Sequence, residues 1–195
     1  TKRSFVRSYL ITMETLIMKI ALDLDGVTFD SIQSWLDRYH PTHSPDEIQD
    51  WNAWMWIDEC NNKEQFFDEF GRQNPKNIQL IPDAREIILQ LEQDGHDLFF
   101  LTSKSERGQQ WSEKVLYREG LNHIPLINCW IEQKQKTDYN YDVLLDDCPL
   151  LKDDGRQILF RQPWNQYKYY EQEVFDWIKF YEIINFLNDL ELIWI

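Results

Sequence analysis

Five short apolar runs, at residues 19–23, 97–101, 126–130, 143–146 and 157–160, alternate with longer stretches of helical spacing. Runs of that length, bounded by turn formers, read as strands buried on both faces of a parallel sheet. Pro82-Asp83-Ala84 opens a helix with Ile87, Ile88 and Leu91 on one face and Gly95 as its stop. Residues 106–119 read as a second helix, closed by Gly120. A last one spans 171 to about 190, with Val174, Trp177, Ile178, Tyr181 and Ile184 at helical spacing. This alternation predicts an α/β sheet with right-handed crossovers.

The rhythm breaks between Thr28 and Leu80, where no convincing strand occurs and aromatics concentrate: Trp35, Tyr39, Trp51, Trp54, Trp56, Phe66, Phe67 and Phe70. The interval is too long for one crossover loop. We read 29–80 as a helical cap, inserted into a core domain made of 18–28 and 81–195. Most of its rings suit a small core of its own. Residues 1–17 read as an N-terminal extension; Glu14 breaks its apolar part, and no small-residue cleavage site precedes the first strand.

A chain of 195 residues, 43% hydrophobic and 15% aromatic, can bury one substantial core with a small insert. The formal charge of -14 disfavours polynucleotides and anionic membranes as partners. No apolar run approaches a membrane span. Cys60, Cys129 and Cys148 are scattered, without metal-ligand spacing, which favours a reducing, cytoplasmic setting. The sequence leaves a homodimer open.

Two acidic pairs stand at strand ends: Asp23 and Asp25 in Asp-Leu-Asp-Gly-Val, and Asp146-Asp147 after Val143-Leu144-Leu145. Side chains alternate along a strand, so Asp23 and Asp25 start on the same side, and Gly26 permits a sharp turn. Carboxylates crowded at a sheet edge need positive charge among them. A divalent cation and phosphate chemistry would supply it. Two more signals fall in order between the pairs: Thr102-Ser103 ending a strand, and Lys136 ten residues before Asp146. Lys134 and Lys104 are rivals for the lysine role.

These four signals in order resemble the haloacid dehalogenase-like superfamily of phosphohydrolases, from about Met18 to the C-terminal helix. The resemblance implies a three-layer, Rossmann-like parallel sheet of order 3-2-1-4-5, with the two acidic pairs meeting at the topological switch point. It implies Asp23 as nucleophile forming an aspartyl-phosphate, and Asp25 as acid and then base. Mg2+ would be held by Asp23, Asp146 and the main-chain carbonyl of Asp25, with Asp147 orienting metal waters or Lys136. Thr102, Ser103 and Lys136 would bind the phosphoryl oxygens.

Within that superfamily the chain is most similar to the 5'(3')-deoxyribonucleotidase family. Gly26, Val27 and Asp30, the cap, Thr102-Ser103, Trp111, Glu113-Lys114, Lys136-Thr137 and Pro163-Trp164-Asn165 carry the similarity. It implies hydrolysis of nucleoside monophosphates, with Trp54, Trp56 and Asn165 as pocket candidates. Other small phosphomonoesters, such as sugar phosphates, and a non-catalytic binding role are the alternatives. Three positions depart from the family pattern: Ser31 in place of an aromatic, Cys148 in place of an arginine, and Lys104 in place of a proline.

Overall fold

The computed structural model describes residues 16–51, 63–151, 155–167 and 169–191. Six parallel strands form one sheet: β1 (Lys19–Leu22), β2 (Asp97–Thr102), β3 (Leu126–Asn128), β4 (Val143–Asp146), β5 (Gln157–Phe160) and β6 (Glu173–Val174), in the order β3-β2-β1-β4-β5-β6. The switch point lies at β1, which pairs with β2 on one side and β4 on the other. Leu22 is level with both Phe100 and Leu145, so the residues after β1 and β4 emerge together at one edge.

Alternation along the strands divides the core. Ile20, Leu22, Leu98, Phe100, Val143, Leu145, Ile158 and Phe160 face one way. They pack against α3 (Ala84–Gln93), α4 (Glu106–Arg118) and α6 (Trp177–Glu191), through Ile88, Leu91, Trp111, Val115, Trp177, Phe180 and Ile184. Ala21, Phe99, Leu101 and Leu144 face the other way, onto Tyr141 and onto Cys129 of the short α5 (Cys129–Glu132). The expected layers are therefore present, one of them thin.

Two boundaries differ from the sequence expectation. The last helix starts at Trp177, because Asp176 caps it, its Oδ1 accepting from the Lys179 amide at 2.7 Å. The residues before it form β6, paired with Leu159 and Phe160, a sixth strand beyond the expected five. The third strand stops at Asn128, whose Oδ1 accepts from the Trp130 amide at 3.1 Å and starts α5.

Between β1 and α3 lie α1 (Ser31–Tyr39), a 3-10 turn at Pro45–Glu47 and α2 (Lys63–Gly71). Trp35, Leu36, Ile48 and Phe66 form a separate cluster there, joined by Trp164 of the core. The Trp35 indole and the His40 ring both bond Glu69 Oε2, each at 3.0 Å, tying α1 to α2. Trp54 and Trp56 lie outside the described residues.

Candidate active site

The switch point brings both acidic pairs together. The Asp23 amide donates to Leu145 O at 2.9 Å, which extends the β1–β4 ladder by one step and sets Asp23 beside Asp146. Thr28 Oγ1 returns to Asp23 O at 2.6 Å and ties off the turn. Gly26 takes φ +73 in this turn, and its carbonyl accepts from Gln162 Nε2 at 2.6 Å. A Cβ at Gly26 would overlap Asp147 Oδ2 and stand 2.9 Å from Trp164 Cζ2. Here the glycine is required both by conformation and by space.

Asp23, Asp146 and Asp147 are buried, and each offers a carboxylate oxygen within 4.8 Å of the others. Lys136 lies among them, its Nζ 2.6 Å from Asp23 Oδ1 and 2.5 Å from Asp146 Oδ2. Of the three lysines weighed for this place, it is Lys136 that the fold delivers. The second oxygen of Asp146 accepts from the Cys148 amide at 2.8 Å. Asp147 Oδ2 accepts from Trp164 Nε1 at 2.7 Å, while its Oδ1 is buried with no hydrogen-bond partner.

Asp25 is not one of these three carboxylates. Its Oδ1 accepts from Lys104 Nζ at 2.9 Å. Thr102 ends β2 and is buried, and Ser103 follows it exposed, at the same sheet edge. Asn165 is fully buried, and both protons of its amide go to backbone carbonyls, Asp147 O at 2.8 Å and Phe160 O at 2.9 Å. Its side chain therefore braces the Asp146-Asp147 turn instead of lining an open pocket.

Burial pushes the Asp23 carboxyl up to about 7; Lys136 pulls it down, and Asp146 and Asp25 push it further up. Burial likewise raises Asp147 well above the usual carboxylate range, helped by Asp23 and Asp146 and opposed by the Trp164 hydrogen bond. Burial weakens the hold of Lys136 on its proton, but Asp146 and Asp23 outweigh it and hold the ammonium more firmly than in water. Lys136 thus pairs with two carboxylates, and Asp147 has no ion pair among the described residues.

An all-oxygen donor set with one buried, unpartnered carboxylate oxygen fits a hard divalent cation. Asp147, expected only to orient neighbours, has its carboxylate inside this set. Trp164 as its partner has no signal in the sequence, and Lys104, a rival of Lys136 and a departure from the family pattern, has its place at Asp25 instead. The signal for Lys104 was its place directly after Thr102-Ser103.

Several solved structures share this architecture. A predicted phosphatase from Clostridium acetobutylicum is 11% identical, with TM-score 0.52, over 87% of this chain and 99% of that one. A HAD family hydrolase from Deinococcus radiodurans R1, with bound phosphate and sodium, is 12% identical, with TM-score 0.51, over 86% and 94%. A dehalogenase with an intermediate complex is 11% identical, with TM-score 0.54, over 87% and 98%. No curated protein matches the chain. The likenesses to solved structures show the fold alone; the class, a phosphohydrolase of the haloacid dehalogenase-like kind, comes from the family model that matches most of the chain. Within that class, the family model described as "5' nucleotidase, deoxy (Pyrimidine), cytosolic type C protein" matches residues 16–189, and the chain belongs to that family. No helix among the described residues is long and apolar enough to cross a membrane.

Proposed function

We propose that this chain is a magnesium-dependent phosphomonoesterase that hydrolyses nucleoside monophosphates through an aspartyl-phosphate on Asp23. One observation carries the reading. Lys136 holds Asp23 and Asp146 together at 2.6 and 2.5 Å, within a buried carboxylate trio whose third member keeps an unpartnered oxygen. The family supports a nucleotide as substrate.

The carboxylates of Asp23, Asp146 and Asp147, with the main-chain carbonyl of Asp25, would hold the magnesium ion. Once bound, it supplies positive charge against the phosphoryl oxygens. Asp23 attacks phosphorus, forming its Oδ–P bond as the bond to the leaving oxygen breaks. Asp25, on the same turn, gives that oxygen a proton and later takes one from the attacking water. Lys136 keeps the Asp23 carboxylate oriented and balances the charge of the transferring group. Thr102 and Ser103, at the end of β2, donate to the phosphoryl oxygens. Water is kept out by the cap, whose cluster continues into the core through Trp164.

The test is phosphate release from a panel of nucleoside monophosphates and sugar phosphates, with magnesium and with excess chelator. Chelator-sensitive release, fastest on nucleotides, is the expected result. Faster turnover of a sugar phosphate would move the substrate assignment, and release insensitive to chelator would remove the metal.

A further inference from the structure

Lys104 and Lys136 are the lysines buried among the described residues, and only Lys136 has a place in the chemistry above. A buried ammonium is costly unless the fold provides for it. Here it does so in detail. The Lys104 amide donates to Asn128 Oδ1 at 3.3 Å, and Asn128 Nδ2 donates to Lys104 O at 3.0 Å, so the backbone is clamped on both sides. Gly108, in the first turn of α4, makes room for the stem: a Cβ there would stand 3.1 Å from Lys104 Cβ and 3.4 Å from its Cδ. The ammonium lies 3.5 Å from the centre of the Trp111 ring and 5.3 Å from that of Phe29.

Its polar partners are equally defined. Nζ donates to Ser112 Oγ at 2.9 Å and to Asp25 Oδ1 at 2.9 Å. Ser112 donates its own proton to Gly108 O at 2.9 Å, so it faces Lys104 as an acceptor only. Asp25 Oδ2 takes no hydrogen bond from the described residues.

We propose that Lys104 is the positioning residue for Asp25: it anchors Oδ1 and so aims the other carboxyl oxygen at the leaving group. The role rests on the phosphatase reading above. In that step the Asp23 Oδ–P bond forms, the bond from phosphorus to the leaving oxygen breaks, and that oxygen takes the Asp25 proton. Lys104 acts only through Asp25. Its value is therefore largest where the leaving group needs the proton most.

Lys104→Met keeps the apolar stem against Trp111 and Phe29 and removes the charge. The readout is kcat/KM for phenyl phosphate and p-nitrophenyl phosphate, esters of similar shape whose leaving groups differ in basicity. Because kcat/KM stops at the first irreversible step, it reports leaving-group departure and not hydrolysis of the phosphoenzyme. We expect a loss of about 10- to 100-fold on phenyl phosphate and under about 3-fold on the nitro ester. The inhibition constant of inorganic phosphate should stay within about 2-fold of wild type, since ground-state phosphate binding is untouched.

Equal losses on both esters would overturn the role. So would a phosphate inhibition constant that rises in step with the loss, which would make Lys104 a phosphate ligand. Gly108→Ala crowds the same stem without touching its charge and should give the same pattern more weakly. If Lys104→Met does not fold, that variant decides the question alone. A folded wild-type protein inactive on both esters would remove the phosphatase reading, and this role with it.

Discussion

The indole N–H of Trp164 donates to Asp147 Oδ2 at 2.7 Å, while the ring of Trp164 packs with Trp35, Leu36, Ile48 and Phe66 of the segment between β1 and α3. One residue thus belongs both to that apolar cluster and to the acidic one. The bond fixes one oxygen of Asp147 and leaves Oδ1 as the free acceptor within that cluster. On the proposed function, a carboxylate held this way by an outer partner would bind the metal in one orientation, without having to be ordered first.

Trp164→Phe should separate the two roles. The ring remains to pack, and the hydrogen bond is lost. We expect the magnesium concentration for half-maximal phosphate release to rise about 10-fold, with the melting temperature of metal-free protein within a few degrees of wild type. A magnesium titration of activity, run beside a thermal melt, checks both. An unchanged magnesium requirement would unlink Trp164 from the metal.

Asp147→Asn should stabilise the metal-free protein. Asp147 is buried, faces Asp23 and Asp146, and pairs with no ammonium among the described residues, so its charge is a burden without metal. An asparagine can still accept from Trp164. Asp146 differs: it takes bonds from Lys136 and from the Cys148 amide, and removing it would strand both. We expect a gain of roughly 1–2 kcal/mol at neutral pH, read as a melting temperature about 2–8 °C higher without metal, together with a weaker response to magnesium.

The same burial sets the pH dependence of the metal-free wild type. Asp23 ionises near 3.8 in the unfolded chain and at about 7 in the fold. Below 3.8 both states hold the proton and the group contributes nothing. Between 3.8 and about 7 the folded state holds the extra proton, so stability falls as pH rises, and the loss levels off above about 7. Asp147, also raised, acts in the same direction. Saturating magnesium, which favours the ionised carboxylates, should flatten this slope. Thermal melts at several pH values, with chelator and with magnesium, test it; parallel slopes would argue that these carboxylates do not share a metal.

What the sequence could reveal follows from how local each signal is. Strands β1, β4 and β5 were legible because buried parallel strands are short apolar runs, and the acidic residues after two of them mark the sheet edge. Strand β6 was not, because Val174 also fits the spacing of the helix that follows, and only pairing with Phe160 decides against it. Lys136 was legible by its distance from Asp146. For Lys104 the position after Thr102-Ser103 was legible but not the burial, which depends on Asn128, Gly108 and Ser112 as they gather round it on folding. That the Asp147 carboxylate lies beside those of Asp23 and Asp146 was not legible either, since two adjacent residues at a strand end normally diverge. The turn held by Asn165 and Trp164 brings both carboxylates back together.

Asp23→Asn should abolish turnover in a folded protein. The amide oxygen still accepts from Lys136, which keeps Asp146 as its second partner. An amide does not form the acyl-phosphate. Residual phosphate release at background level, with a melting curve no lower than wild type, is the expected outcome. Near wild-type rates would exclude Asp23 as the nucleophile.

Gly26 and Gly95 provide a matched comparison of what a glycine contributes at this site. Both are left-handed, at φ +73 and +95, so alanine at either position carries a similar backbone strain of about 1–2 kcal/mol. At Gly95, after α3, an added Cβ meets nothing within 4 Å. At Gly26 it overlaps Asp147 Oδ2 and crowds Trp164. Relief requires moving the carboxylate or the indole, and either breaks the bond between them. Gly26→Ala should therefore cost roughly 2 kcal/mol more than Gly95→Ala by chemical denaturation. It should also lose magnesium-dependent activity, which Gly95→Ala retains. Equal stability losses, or full activity in Gly26→Ala, would show that the turn at Gly26 can open without disturbing the acidic cluster.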